Sequence, residues 1–211
     1  MLETIKYADY EDGLPQGGKH ILGQEIGENI IVYQAFNLDI SAYALTHQRF
    51  GGSHYRFSRM SWIKPNFLWM MYRSNWASKE HQQKILAITI PKKFFLEILS
   101  EAVHSSFIEE IYGTKENWEA QLKMSEVRLQ WDPDHKPNGE KHSRKAVQIG
   151  LKGSVLQRYS TEAIISIEDI TPFVHKQKQL LTSGDKNDLE VIKEKVISIE
   201  NKEIIKRIML D

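Results

Sequence analysis

The chain has 211 residues, with 28 basic and 28 acidic residues for zero net charge, 41% hydrophobic and 27% charged residues, and no cysteine. This excludes a disordered chain, a disulfide framework and thiolate chemistry, and it argues against a general polyanion binder while leaving room for a local basic site. The start carries no apolar stretch of signal-peptide length and no run approaches the ~20 apolar residues of a membrane span, so a soluble cytoplasmic protein is expected.

In chain order, residues 1–19 are polar and glycine-rich and read as a flexible lead-in. Ile30–Phe36 (IIVYQAF) is a short apolar run expected as a buried strand. Gln34 in its middle needs hydrogen-bond partners, either as a structural bracket or as a ligand contact. Asn37, Asp39 and Ser41 offer N-caps for a helix over ISAYALTHQRF, which Gly51 and Gly52 end. Residues 56–64 alternate as a strand. Residues 84–90 (KILAITI) read as a buried strand, and a helix follows from Pro91 with Phe94, Phe95, Ile98, Leu99 and Val103 inward. Residues 107–124 form a less regular helical segment.

A hairpin is expected from 126–133 (EVRLQWDP) and 144–151 (RKAVQIGL) around a Pro-Asn-Gly turn. Alternation puts Val127, Leu129, Trp131, Val147, Ile149 and Leu151 toward the core. Arg128, Gln130, Asp132, Arg144 and Gln148 then converge on the other side. Residues 153–159 read as linker or edge strand, 162–170 as a short helix or strand, 173–181 as helix and 182–188 as a polar break. From Leu189 onward, Leu189, Ile192, Val196, Ile199 and Ile208 fall at helical spacing in a highly charged segment that could self-associate. The expected architecture is α+β: a mixed, largely antiparallel sheet with flanking helices, a single domain over 20–181 and a C-terminal amphipathic helix over 182–211.

The densest stretch is Arg59–Lys79, RMSWIKPNFLWMMYRSNWASK. It holds Trp62, Trp69 and Trp76, and threads Arg59, Lys64, Arg73 and Lys79 through them. A core takes the aromatics readily, but four cations need acid partners, a route to water or an anion. The ligand reading is a pocket in which the cations hold phosphate or carboxylate and tryptophan stacks a flat ring.

This block, the Gln130–Pro133 QWDP segment and the Arg144–Leu151 segment, with IIVYQAF upstream and IEDITP downstream, resemble the domain of unknown function 4291 family over roughly residues 20–175. There the block reads R-M-T-W-I-K-P-S-F-L-W-M-M-Y-R-S-G-W, and Ser61, Asn66 and Asn75 depart from it here. Lys145, Ala146 and Val147 depart in the third segment, and Asp134-His135 stands where the family often has an acid and Arg. The resemblance implies a shared fold and transfers no activity. The order strand, helix, Ser-containing aromatic strand and late acid is also loosely similar to the ADP-ribosyltransferase superfamily, with Gln34 at the place of its usual His or Arg.

No Walker loop, Rossmann fingerprint, nucleophile elbow or His-Glu-x-x-His motif is present. No metal site or cofactor is expected, since His135 and His142 are too far apart to signal one. The candidate ligand-binding residues are Tyr33, Gln34, Arg59, Trp62, Lys64, Trp69, Arg73, Lys79, Gln130, Arg144 and Gln148. Asp132 and Glu168 are the candidate catalytic acids, with Glu162 and Asp169 as further acids near the last element. The expected partner is a small anionic or nucleotide-like ligand, acted on by an enzyme or held by a non-catalytic module that reads a nucleotide or single-stranded nucleic acid. An enzyme needs one of the acids to face the aromatic block, and a binder does not.

Overall fold

The structure, a computed structural model, describes residues 2–211 apart from the side chain of Lys186. The chain opens with β1 (Thr4–Lys6) and one helical turn, α1 (Tyr7–Tyr10). Strands β2 (Leu22–Gly23), β3 (Glu25–Ile26) and β4 (Asn29–Phe36) follow, then α2 (Leu38–His47), β5 (Ser61–Ile63), α3 (Phe67–Ser74), β6 (Lys84–Pro91) and α4 (Lys92–Ser100). After β7 (Val103–His104) come α5 (Glu109–Tyr112), α6 (Lys115–Met124) and the hairpin of β8 (Val127–His135) and β9 (Lys141–Leu151). The chain ends with α7 (Gly153–Arg158), extended by a π-helical turn at Tyr159–Ala163, then β10 (Ser166–Asp169), α8 (Thr171–Ser183), β11 (Glu190–Ile192), β12 (Lys195–Val196) and α9 (Lys202–Ile208).

The fold is α+β and largely antiparallel, built as two four-stranded sheets rather than one. The first has the order β10-β6-β4-β3 and the second β5-β9-β8-β7, with β7 and β8 its parallel pair. The sheets join where β5 runs past its end. The Tyr33 N–H donates to the Lys64 carbonyl at 2.7 Å, and the Lys64 N–H donates back to Tyr33 at 3.2 Å.

The first sheet is covered on both faces, which explains why β4 reads as a continuous apolar run instead of alternating. Ile30 and Val32 pack with α4 and the inner face of the hairpin, while Ile31 and Tyr33 pack with α3 and α8. Val127, Leu129, Val147, Ile149 and Leu151 are fully or nearly fully buried, as the alternation requires. Trp131 is half-buried and donates its Nε1–H to the Ile208 carbonyl at 2.8 Å. No helix among the described residues is long and apolar enough to cross a membrane.

Four expectations need correction. Residues 1–19 are not a free lead-in: β1 pairs with β11, and Tyr10 is buried with its hydroxyl on Glu194 at 2.6 Å. The segment from Leu189 is not one helix, because β11 pairs with β1, β12 pairs with β2, and the helix is confined to Lys202–Ile208. Its apolar residues Val191, Ile192, Ile197, Ile199, Ile204 and Ile208 are buried within the chain, whereas Val196, inward on a helix, is 37% exposed. The strand expected over 56–64 is limited to Ser61–Ile63, because β9 pairs only with those residues. Residues 153–158 are helical rather than linker.

Candidate functional site

Strand pairing and cap chemistry build a cleft at the join of the two sheets. Pro65 ends the strand that leaves Lys64, and Asn66 caps α3 by accepting the Trp69 N–H at 2.6 Å. Helix α3 therefore starts at the cleft and turns Trp69, Met70 and Arg73 toward it. Gly150 makes room on the far wall: a Cβ there would stand 2.5 Å from Met60 Sδ and 3.1 Å from the Trp62 ring. Strands β8 and β9 bring in Gln130, Asp132 and Gln148, with Gln130 paired to Gln148 and the small Ala146 opposite Asp132. The cavity measures about 480 Å³, within the usual range for a small-molecule pocket.

Its polar groups are held in place. The Gln130 and Gln148 amides each donate to one oxygen of Asp132, both at 2.8 Å. Gln34 donates to Ser61 Oγ at 2.8 Å and to the Trp62 carbonyl at 3.2 Å, and accepts from the Tyr159 hydroxyl at 2.9 Å. It brackets β4, β5 and the π-helical turn, the structural role expected of it, and it also lines the cleft.

Lys64 is 5% exposed and makes no ion pair among the described residues. Burial pulls its amine down to about 7, the Arg73 charge adds to this, and the Asp132 carboxylate opposes it. A bound anion favours the charged amine. Anion affinity is therefore expected to be highest below pH 7 and to weaken as pH rises through the folded-state value, with proton uptake on binding above it. Calorimetry in two buffers of different ionisation enthalpy reads that proton. Lys64→Met should remove it, and a wild-type affinity flat from about pH 6 to 9 would contradict this role for Lys64.

Of the thirteen residues singled out from sequence, Gln34, Trp62, Lys64, Trp69, Arg73, Gln130, Asp132 and Gln148 line this cleft. Five do not. Tyr33 is fully buried against Phe67, beneath the cleft. Arg59 is exposed in the turn before β5. Glu168 is exposed on β10, opposite Ala87 of β6.

Lys79 lines a second cleft of about 720 Å³ formed by α3, the β8–β9 loop and α8. Arg144 is fully buried and bonded to Asp134 and Glu11. It shares a face with Gln148 but sits four residues along the strand, roughly 13 Å away, where the N-terminal segment covers the sheet. Arg128 also misses the cleft, because its guanidinium donates to the Ser125 and Leu122 carbonyls.

Met60, Ser61, Met70 and Gln82 also line the cleft. The first three lay inside the aromatic block, while Gln82 sits in a loop where no periodicity flags it. His135 was equally unforeseen: its ring stacks on Tyr72 with centroids 3.5 Å apart and on Trp69 at 5.3 Å. Beyond α3, Asn75, Trp76 and Ala77 adopt left-handed backbone at φ 50°, 53° and 62°. That conformation costs roughly 1–2 kcal/mol per non-glycine residue. It aims the Trp76 Nε1–H at the Pro137 carbonyl, 3.2 Å away, and so ties the β8–β9 loop to α3.

No curated protein matches the sequence. The family profile described as Domain of unknown function (DUF4291) matches residues 20–200, which takes in both walls of the cleft, the joined sheets and strands β11 and β12. The chain belongs to the DUF4291 family.

Proposed function

We propose that the cleft binds a nucleotide-containing ligand and acts on it as an enzyme. Lys64 and Arg73 meet phosphate, Trp62 offers a flat surface for a base, and Asp132 faces the sugar. The observation that carries the reading is that one cavity holds an acid, a buried amine without an ion-pair partner among the described residues, and two tryptophans. Asp132 serves as general base or as the partner of a positively charged sugar in the transition state. Gln34 and the Ser61-Trp62 strand meet in the cleft as the ADP-ribosyl-transfer variant requires, but the late acids expected for it, Glu162 and Glu168, lie outside, so Asp132 is the acid proposed in their place. The reading goes with a cytoplasmic location, where free nucleotides are found.

The test is calorimetry and product analysis with NAD, ADP-ribose and mononucleotides. Wild-type protein should bind and turn over NAD. Asp132→Asn should lose turnover by about 100-fold or more while its dissociation constant stays within a few-fold. Absence of binding by all three ligand types at millimolar concentration overturns the reading. A second reading, a non-catalytic module, draws on the fact that both Asp132 oxygens are already bonded by glutamine amides. In that case wild type and Asp132→Asn bind alike and neither turns the ligand over.

A further inference from the structure

We infer that the second cleft carries the phosphodiester backbone of a single-stranded nucleic acid whose terminal nucleotide occupies the first. This rests on the nucleotide reading of the first cleft. The two are neighbours, with Arg73 in the lining of both. Among the described residues, the walls of the second carry Arg73, Lys79, Lys136 and Lys178 and no carboxylate. Lys136 pairs with Glu140 at 3.1 Å on its own loop, and Lys178 donates to the Asn75 carbonyl and the Ser78 hydroxyl.

Four like charges brought together from α3, the turn after it, the β8–β9 loop and α8 repel one another. In a chain with 28 acidic residues for 28 basic ones, their gathering without a lining acid fits a polyanionic occupant. The aromatic component is also present. Tyr72 lines this cleft, is 44% exposed and is braced from behind by His135, so it offers a base a fixed ring to stack on. The left-handed turn at Asn75–Ala77 and the Trp76–Pro137 hydrogen bond hold the β8–β9 loop beside α3. Lys79 and Lys136 thus line the same groove before any ligand arrives. An acidic peptide would satisfy the cations but not the ring or the nucleotide-sized first cleft.

The experiment is fluorescence anisotropy with a labelled single-stranded oligonucleotide of about eight nucleotides, run beside mononucleotide calorimetry. Three or four phosphate contacts predict a log–log salt slope of about −2 to −3. The oligonucleotide should bind on the order of tenfold tighter than the mononucleotide. Lys79→Glu and Lys136→Glu should each weaken the oligonucleotide and flatten its slope by about one, with mononucleotide affinity unchanged.

Mononucleotide binding without any gain for the oligonucleotide overturns this inference and leaves the first cleft's reading standing. Oligonucleotide binding indifferent to both charge reversals overturns it too, as does poly-glutamate binding as tightly as the oligonucleotide. Oligonucleotide binding that both reversals weaken, with no mononucleotide binding, supports the basic strip and removes the nucleotide reading of the first cleft.

Discussion

Arg144→Ala is expected to cost about 3–5 kcal/mol of folding stability, because it leaves two carboxylates around a buried site without their cation. Arg144 is fully buried, donates from Nε to Asp134 at 2.6 Å and grips Glu11 with both terminal nitrogens at 2.6 and 3.1 Å. Burial works against its charge, but the carboxylates outweigh it and raise its pKa. At Glu11, burial pushes the carboxyl up, and the Arg144 hydrogen bonds and charge outweigh that, so it lies below the ordinary carboxylate range. Arg144→Lys should recover only part of the loss, since an ammonium cannot reproduce the forked contacts. Denaturant midpoints for the two variants measure this, and a loss below about 1 kcal/mol for Arg144→Ala would falsify the clamp.

Glu194→Gln is expected to stabilise the protein at high pH and leave it nearly unchanged at low pH. Glu194 is buried in the turn between β11 and β12. It accepts hydrogen bonds from the Tyr10 hydroxyl at 2.6 Å, Asn66 at 2.9 Å and the Phe67 N–H at 2.6 Å, at the start of α3. Burial is the largest influence and raises its carboxyl to about 8 despite these donors.

A carboxyl whose folded pKa lies above its unfolded value of 4.5 binds more protons when folded. Its contribution is therefore intact below the unfolded value and is lost as pH rises through the window from 4.5 to about 8. The loss amounts to a few kcal/mol in order of magnitude.

His104, lowered to about 4 mainly by burial, gains stability with rising pH up to its unfolded value of 6.5. Lys64, lowered to about 7, does the same from there toward 10.5. Both oppose Glu194, so the measurement is the stability difference between Glu194→Gln and wild type as a function of pH. It should grow from near zero at the acid end to its maximum above the folded value, and a difference constant across the window refutes the role given to Glu194.

The two sites differ in how visible they were from sequence. Gln130, Asp132 and Gln148 could be assigned to one face because strand alternation is a local rule, and the pairing of Gln130 with Gln148 then brought them together. Arg144 obeys the same alternation. Its partner Glu11 is 133 residues away, in a stretch whose polar composition reads as a free end. Glu194 lies 128 residues from Asn66 and inside a segment that reads as a surface helix. The residues 189–199 meet helical spacing and strand alternation about equally well, and pairing with β1 and β2 selects the strands.

From sequence alone came the α+β class, β4, β6, the hairpin, α4, the family and the cationic-aromatic block, all of which rest on local periodicity or on one contiguous motif. Only the tertiary structure decided which cations of that block face a common cavity with Asp132. It also decided that Arg59 points to water, that Lys79 belongs to the neighbouring groove, and that both chain ends close over Arg144 and Glu194. The physical reason is the same in each case. Burial of a charge depends on what distant segments bring to it, and one short sequence window holds only one side of that contact.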